Sequence, residues 1–418
     1  MIFKNKIALI VFSLTVFGAK SQILTLDSIL NAIEKTHPEL KMYDAQIKAY
    51  DTYAEGAKSL DPPQFGAGFF MTPYNPMYWK PGDMSSDGMG AFMLSGQQMI
   101  MNPKKLDANY EHMKSMSGME KEMKNSMRNH MFSMAKMEYY EWIVLKKKLL
   151  ILTESESLMN YLVKSTEIRY NYGMDKLGSY YKAKGMLGDV ESMKLMTELE
   201  IKQKMIALNT LMNRDKEMAF DIDTAYTLKE YENILIDTAQ IASARSDYKI
   251  LSKNINLLRT KQQFEKTKGL PDFGIKYDHM LAFGTQPQQF SMMAMITIPI
   301  VPWSSKMYKS SVKGLGFEID ALNIQKQSFL NTASGTVQNL KAQMKSHKQQ
   351  VELYHRTIIP SMKKNYETAL LAYEQNTEEL FMVLDAWQNL KVVQLGYHDQ
   401  LQELLLIQVE YEQQMEIK

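Results

Sequence analysis

Hydrophobic positions along the chain follow two different spacings. In residues 65–71 and 290–298, apolar side chains occupy every second position, which is typical of strands with one apolar face. In residues 103–214 and 304–417, Leu and Met recur among Lys, Glu and Gln at helical spacing. The pattern predicts a mainly α protein with a small β part.

The predicted elements come in the same order twice. Each half opens with a helix, at about 25–58 and 238–267, which proline or glycine ends. Two short strands follow, and then a very long helical segment. The residues that share one face of these strands are Phe65, Ala67, Phe69 and Met71; Phe92 and Leu94; Phe273, Ile275 and Tyr277; and Phe290, Met292, Ala294, Ile296 and Ile298.

This order is accompanied by an internal sequence similarity. Pro63 aligns with Pro271 and Phe65 with Phe273, and Tyr170-Asn171-Tyr172-Gly173 aligns with Tyr373-Glu374-Gln375-Asn376. We therefore predict two structural repeats, at 22–237 and 238–418. The acidic segment at about 215–237, which closes the first repeat, is expected to be a solvated surface strap.

Each long helical segment has one internal break. At ~1.5 Å per residue a helix of about 70 residues would extend ~100 Å, so it needs partners along its length. Glycine and asparagine take left-handed backbone conformation at low cost, as a turn between two helices requires. We predict two antiparallel coiled-coil hairpins whose turns are Tyr172-Gly173-Met174-Asp175 and Gln375-Asn376-Thr377.

The N-terminal residues 1–21 have the pattern of a secretory signal. Lys4 and Lys6 precede a short apolar run, and Ala19-Lys20-Ser21 offers small residues two positions apart. The run is too short to span a bilayer as a helix. Export, together with the absence of cysteine, suits the periplasm or the outer membrane.

The four predicted strands are too few to close a barrel, which needs ~8 strands around a filled interior. An open sheet in lipid would leave backbone groups without partners, so several chains would have to share one barrel. Tyr74, Tyr78, Trp79 and Trp303 near the strand ends fit an interfacial girdle. The alternative is a soluble β-hairpin cap on a helical bundle.

Composition excludes several classes of function. A net charge of +2 gives no basic excess for nucleic acid, and no cysteine is present for a disulfide, a thiolate metal site or a thiol nucleophile. The histidines form no His-x-x-x-His pair, and no phosphate-binding glycine motif is present. The sequence therefore predicts neither an enzyme nor a bound cofactor.

Methionine is unusually frequent, with 34 residues. A stripe of them steps by three or four along one predicted helix, close to the 3.5 spacing of a coiled-coil seam, where methionine fills an irregular core. The other interpretation is a thioether track for Cu(I) or Ag(I), beside His112 and His130. The candidate ligands are Met113, Met116, Met119, Met123, Met127 and Met131, and further methionines near the strands are Met84, Met89, Met93, Met99, Met101, Met292, Met293 and Met295.

The duplicated pattern resembles the TolC family of outer-membrane efflux channels over essentially the whole predicted mature chain. The residues that carry the resemblance are His37-Pro38-Glu39-Leu40 followed by Leu60 to Phe65; their copy at 246–273; Thr297-Ile298-Pro299-Ile300; and Ala372-Tyr373-Glu374-Gln375-Asn376 followed by Leu380 and Val383-Leu384-Asp385-Ala386-Trp387-Gln388-Asn389-Leu390.

The resemblance implies a homotrimer in the outer membrane of a Gram-negative bacterium, with a shared twelve-stranded transmembrane β-barrel and an α-helical barrel in the periplasm. It implies no catalytic residues, and docking on a periplasmic adaptor and an inner-membrane pump of the RND type. Asn376 departs from the family's usual glycine. The adaptor-contacting turn residues carried over from the family are Tyr172, Gly173, Met174, Asp175, Gln375, Asn376, Thr377 and Glu378.

The sequence leaves the exported substrate open. The methionines favour heavy-metal cations such as Cu(I) or Ag(I). General drug efflux, type I secretion and a soluble periplasmic coiled-coil scaffold are the alternatives.

Overall fold

The computed structural model describes residues 23–81 and 88–418, so the expected signal peptide and Met84 lie outside the described residues. Long helices dominate, as the sequence predicts. In chain order the elements are β1 (Ile23–Leu24), α1 (Leu26–Thr36), α2 (Pro38–Gly56), β2 (Gln64–Phe70), β3 (Ala91–Ile100), α3 (Pro103–Asn171), α4 (Leu177–Leu211), β4 (Asp221–Ile222), α5 (Thr238–Ala244), α6 (Ser246–Thr267), β5 (Asp272–Ala282), β6 (Gln289–Thr297), α7 (Pro302–Leu353), α8 (Ile359–Glu374) and α9 (Leu380–Gln414).

Contacts divide the described chain into two compact units, and each draws segments from both predicted repeats. The first contains residues 23–37, 131–231 and 343–409. The second contains residues 38–81, 88–130, 232–342 and 410–418. We call them the hairpin unit and the sheet unit.

The sheet unit is built around four antiparallel strands in the order β2-β3-β5-β6. The two central strands come from opposite halves of the chain, and Leu94 of β3 lies opposite His279 of β5. Met71, expected on the first strand, follows β2 and has a φ of 47°, in the left-handed region. The four expected strands are thus present, but the first and the last each end one residue early, since Met71 follows β2 and Ile298 follows β6.

Each long helical segment of the hairpin unit turns back on itself where the sequence predicts. Helices α3 and α4 form one hairpin, and α8 and α9 form the other. Their apolar stripes meet in one core, since side chains from all four helices bury each other. Its buried residues are Leu152, Met159, Leu162, Ala183, Val190, Tyr373, Leu380, Val383, Leu384 and Trp387.

The two opening helices differ from the prediction, because each is broken. The first breaks at His37, whose φ and ψ of −64° and 128° are extended. Pro38 disfavours helical conformation at the residue before it, and a new helix starts at the proline. The second breaks at Arg245, also extended, where the N–H of Ser246 donates to Glu416 at 2.5 Å. A side chain thus satisfies a backbone donor that the break leaves free.

A five-residue π-helix, Tyr354–Ile358, separates α7 from α8. Pro360 follows it at the start of α8. Proline lacks the N–H that a regular helix needs at this position, and the wider turn accommodates the missing bond.

The acidic strap is solvated only in part. Asp215, Glu217 and Asp223 are exposed, as expected, but Phe220 and Ile222 are buried. Strand β4 pairs in parallel with β1, and Lys146 of α3 donates to Asp221 at 2.7 Å. Partial burial alone would raise the pKa of Asp221, but the hydrogen bond from Lys146 lowers it below its ordinary value. The strap is therefore attached to the hairpin unit.

Among the described helices, none is both long enough and apolar enough to cross a bilayer.

Candidate functional site

The two hairpin turns have the same backbone geometry. Gly173 has a φ of 73° and Asn376 a φ of 59°, so both residues expected to be left-handed are left-handed. In the first turn the N–H of Met174 donates to the carbonyl of Arg169 at 2.8 Å. In the second turn the N–H of Thr377 donates to the carbonyl of Ala372 at 2.9 Å. These bonds end the helices with the same capping pattern.

A polar network joins the two turns. Arg169 donates from Nε to Asp175 Oδ2 at 3.0 Å and from Nη2 to Asn376 Oδ1 at 2.6 Å. Tyr373 donates its hydroxyl to the same Asp175 oxygen at 2.7 Å, and the guanidinium of Arg169 lies 4.5 Å from the centre of the Tyr373 ring. Since Arg169 and Asp175 belong to one hairpin and Tyr373 and Asn376 to the other, this network couples the hairpins.

Tyr373 is the buried member of the network. Desolvation raises the pKa of its phenol to about 12, and the hydrogen bond to Asp175 acts in the same direction. The phenol therefore stays protonated at neutral pH and remains a donor to Asp175.

The eight turn residues predicted from the resemblance all lie at this end of the hairpin unit, but they do not form one set. Five line a surface cavity of about 400 Å³ together with Arg169 and Glu379: Met174, Asp175, Asn376, Thr377 and Glu378. Tyr172, Gly173 and Gln375 are exposed outside it, with Tyr172 at 78%. A second ion pair, from Lys176 to Glu379 at 2.8 Å, joins the two hairpins at the surface of the same end.

The four-stranded sheet presents two chemically different faces. The register places Phe69 opposite Phe92, and Tyr277 opposite Met292. This face is largely exposed, with Phe65 at 83%. Its members are Phe65, Ala67, Phe69, Phe92, Leu94, Gly96, Gln98, Ile100, Phe273, Ile275, Tyr277, His279, Leu281, Phe290, Met292, Ala294 and Ile296.

The opposite face is mixed. Lys276 pairs with Asp278 at 3.1 Å, and the serines Ser95 and Ser291 lie on either side of Asp278. We call these two surfaces the apolar face and the polar face. A contiguous exposed apolar face is typical of a surface that contacts lipid or another protein.

The aromatic residues expected at an interface lie beside the strands, and Trp79 also packs against another part of the sheet unit. Its ring stacks on Phe283 at 5.3 Å, and its indole N–H donates to the carbonyl of Pro73 at 2.8 Å. Tyr74 and Trp303 are exposed.

The methionine stripe does not form a single buried seam. Of the six candidate ligands, Met131 is buried, and Met113, Met116, Met119, Met123 and Met127 are half-buried. Met123, Met127 and the exposed His130 line one cavity of about 420 Å³ in the sheet unit. His112 lies elsewhere, buried against Phe264, and desolvation lowers the pKa of its imidazole.

Three charged groups line the same cavity as Met123 and Met127. Arg245 is paired with Asp247, with Nη2 to Oδ2 at 2.5 Å. Glu416 accepts from the hydroxyl of Ser246 at 2.7 Å. One cation and two carboxylates line the cavity, so its fixed charge is negative. Among the described residues, no three His, Asp or Glu side chains come close enough to hold a metal ion.

No protein-family model and no curated protein matches this chain. Solved structures do match. They include the CmeC outer membrane channel of Campylobacter jejuni, at a TM-score of 0.73 and 15% identity, which covers 93% of this chain and 85% of that one. The match to the outer membrane protein VceC of Vibrio cholerae also has a TM-score of 0.73 and 15% identity, and it covers 93% of this chain and 95% of VceC. The match to the MtrE outer membrane channel of Neisseria gonorrhoeae has a TM-score of 0.68 and 11% identity, and it covers 93% of this chain and 88% of MtrE.

The fold is that of these outer-membrane channels. At such low identity the likeness extends to the fold alone.

The network at the turns includes residues that the sequence prediction omitted. Arg169 and Tyr373 lie just before the turns and hold Asp175, but the prediction started at Tyr172 and Gln375. A signal was present, since an arginine in the last helical turn before an aspartate often pairs with it. Tyr373 gave no such signal, because its partner is far away in the sequence.

Proposed function

We propose that the chain is one subunit of a homotrimeric outer-membrane exit channel, which conducts substrates passively and is not an enzyme. The observation that carries this proposal is the apolar face of the sheet, which the described chain leaves exposed on a fold shared with outer-membrane channels. A lipid bilayer would cover that face without any further protein.

The sheet edges support the trimer. Strands β2 and β6 each pair with one neighbour in the described chain, so each has one unpaired edge. Pairing β6 of one subunit with β2 of the next would satisfy these edges, and three subunits would close a twelve-stranded barrel. Strand β5 has 11 residues and β3 has 10, which is the length that a tilted strand needs to cross a membrane.

We also assign a role to the two hairpin turns that the polar network joins. We propose that this end is the periplasmic entrance, where Tyr172, Met174 and Glu378 contact the adaptor of an inner-membrane pump of the RND type. Exposed apolar side chains at a turn, such as Tyr172 and Met174, support a protein contact.

For the substrate we propose soft heavy-metal cations such as Cu(I) or Ag(I). Met123 and Met127 line a cavity whose fixed charge is negative, and thioether sulfur prefers these cations. General drug efflux and type I secretion are the alternatives for the substrate. A soluble periplasmic scaffold is disfavoured, because the apolar face would then contact water.

Fractionation and conductance test the channel. The full chain is expressed with its N-terminal segment, and membranes are separated by density. We expect a heat-modifiable trimer in the outer membrane, and conductance steps when the purified trimer is added to a planar bilayer. Recovery of the chain in the soluble periplasmic fraction would contradict the channel and support the scaffold.

Metal tolerance tests the substrate separately. A deletion strain is expected to become more sensitive to copper and silver, and to regain tolerance from a plasmid copy. Unchanged tolerance to both metals would remove the metal proposal and leave the channel proposal standing.

A further inference from the structure

We propose that Met99 and Met295, whose side chains meet over Gly274 on the polar face of the sheet, bind a soft monovalent cation, Cu(I) or Ag(I), with Met293 as a third thioether ligand. The inference rests on the proposed function, because it adds a cation site to the wall of the proposed pore. These residues are separate from the methionine stripe of α3.

The strand register brings the two methionines to the same point. Met99 of β3 lies opposite Gly274 of β5, and Gly274 lies opposite Met295 of β6. The three residues therefore form one row across three strands, with the glycine in the middle. Directly opposite residues on neighbouring strands point to the same face.

The glycine allows both side chains to fold over the central strand. A Cβ atom at residue 274 would lie 2.6 Å from Sδ of Met99 and 3.2 Å from Cε of Met295. The two thioether groups thus occupy the space that any other residue at this position would fill. Gly274 is buried beneath them.

Met293 completes the set of sulfur atoms. It lies two residues before Met295 on the same strand, so it points to the same face, about 7 Å along the strand. A long, flexible methionine side chain can span this distance. Three thioethers provide a ligand set that suits Cu(I) and Ag(I) rather than hard cations.

Methionine is distributed unevenly between the two faces of the sheet. Of the methionines in the four described strands, only Met292 lies on the apolar face, where aromatic and aliphatic residues predominate. The methionines on the polar face are Met93, Met99, Met280, Met293 and Met295. Thioethers are therefore concentrated on the face that lies away from lipid in the proposed barrel.

The neighbouring charges neither attract hard cations nor repel soft ones strongly. Lys276, the residue of β5 opposite Met293, pairs with Asp278 at 3.1 Å. Asp272 pairs with Lys105 at 2.5 Å. A carboxylate neutralises each of these two lysines, so metal binding would depend on the affinity of sulfur for the ion. Mg²⁺ and Ca²⁺ require oxygen ligands and would be disfavoured.

The test measures Ag(I) binding to the purified full chain in detergent by calorimetry, with silver nitrate as the probe. The double variant Met99→Leu/Met295→Leu keeps the volume but removes both sulfurs, and we expect it to lose one equivalent of bound Ag(I). Gly274→Ala keeps every sulfur but displaces Met99, and we expect affinity at this site to fall about ten-fold. Met292→Leu on the apolar face is the matched control and should bind as wild type does.

Labelled methionine methyl groups provide an independent measurement. Ag(I) is expected to shift the resonances of Met99 and Met295, which single Leu variants identify, and to leave Met292 unchanged. Equal Ag(I) stoichiometry in the wild type and the double variant, with unshifted Met99 and Met295 methyl groups, would overturn the inference. If the double variant fails to fold, Gly274→Ala and the single variants decide.

These results are distinguishable from failure of the channel proposal. Conductance in a planar bilayer without Ag(I) binding at Met99 would refute the site and keep the channel. Ag(I) binding by a chain that forms no conducting pore would keep the site and refute the channel.

Discussion

The hairpin unit and the sheet unit place their apolar residues in opposite ways. In the hairpin unit, Leu162, Val383 and Leu384 are fully buried among side chains of four helices. In the sheet unit, Phe65, Ile275 and Phe290 of the apolar face remain exposed. Burial in the hairpins stabilises the folded chain itself. The exposed face can contribute to stability only when lipid or another protein removes it from water.

The polar groups of the two units differ as well. At the hairpin turns, polar atoms hold two helical hairpins together through Asp175. On the sheet, paired charges and methionines share the polar face. The polar groups at the turns thus hold structure together, whereas on the sheet we propose that the methionines bind a cation.

The largest expected effect comes from a charge in the hairpin core. Leu384→Asp places a carboxylate among the buried apolar side chains of the hairpin core, and we expect about 4 kcal/mol or more of lost stability. Thermal unfolding followed by circular dichroism measures this loss. Asp385→Leu, at the exposed neighbouring position, is the control and should leave the melting temperature nearly unchanged. Equal effects of the two variants would contradict the assignment of the core.

A charge on the apolar face tests the other side of the comparison. If lipid covers Ile275, Ile275→Arg should cost about 2–4 kcal/mol near the centre of the bilayer, and less trimer should insert into the outer membrane. The matched variant Ser291→Arg lies on the polar face opposite Asp278 and should insert normally. Insertion yield in both is read from heat-modifiable trimer on gels, and normal insertion of Ile275→Arg would argue against lipid contact.

Loss of the tyrosine hydroxyl at the turns should have an intermediate effect. Tyr373→Phe removes one hydrogen bond to a carboxylate, worth about 1.5–3 kcal/mol. We expect faster amide hydrogen exchange at residues 169–178 and 372–380. The control Tyr161→Phe alters an exposed ring of the same unit, and exchange at the turns should stay at the wild-type rate.

The same tyrosine predicts a pH dependence. Its pKa is raised to about 12 in the folded chain and is ~10 when unfolded, so the fold favours the protonated phenol. This contribution is fully present below about pH 10 and is lost as the pH rises from about 10 towards about 12. Alkaline unfolding of wild type should therefore be steeper than that of Tyr373→Phe over this range, and identical profiles would contradict the raised pKa.

The smallest effect is expected at the surface ion pair. Lys176→Ala removes the contact to Glu379, but both side chains are mostly in water, where such pairs contribute little. The melting temperature should match the wild type within error. A clear loss of stability would show that this pair, rather than the network around Asp175, couples the turns.

Much of the fold can be predicted from local patterns. Alternation at Phe65 and Phe290 identifies strands because successive side chains point to opposite faces. Gly173 and Asn376 identify the turns because few other residues take left-handed backbone conformation cheaply. The break before Pro38 is not in the prediction, although proline disfavours helical conformation at the residue before it.

The juxtapositions that carry chemistry depend on distant parts of the chain. Met99, Gly274 and Met295 come together only through strand pairing, and Tyr373 meets Asp175 only when two hairpins pack. Local spacing carries no information about register between strands or helices that are far apart in sequence. The sequence by itself thus determined the elements, their order and the positions of their turns, while tertiary packing decided which side chains meet.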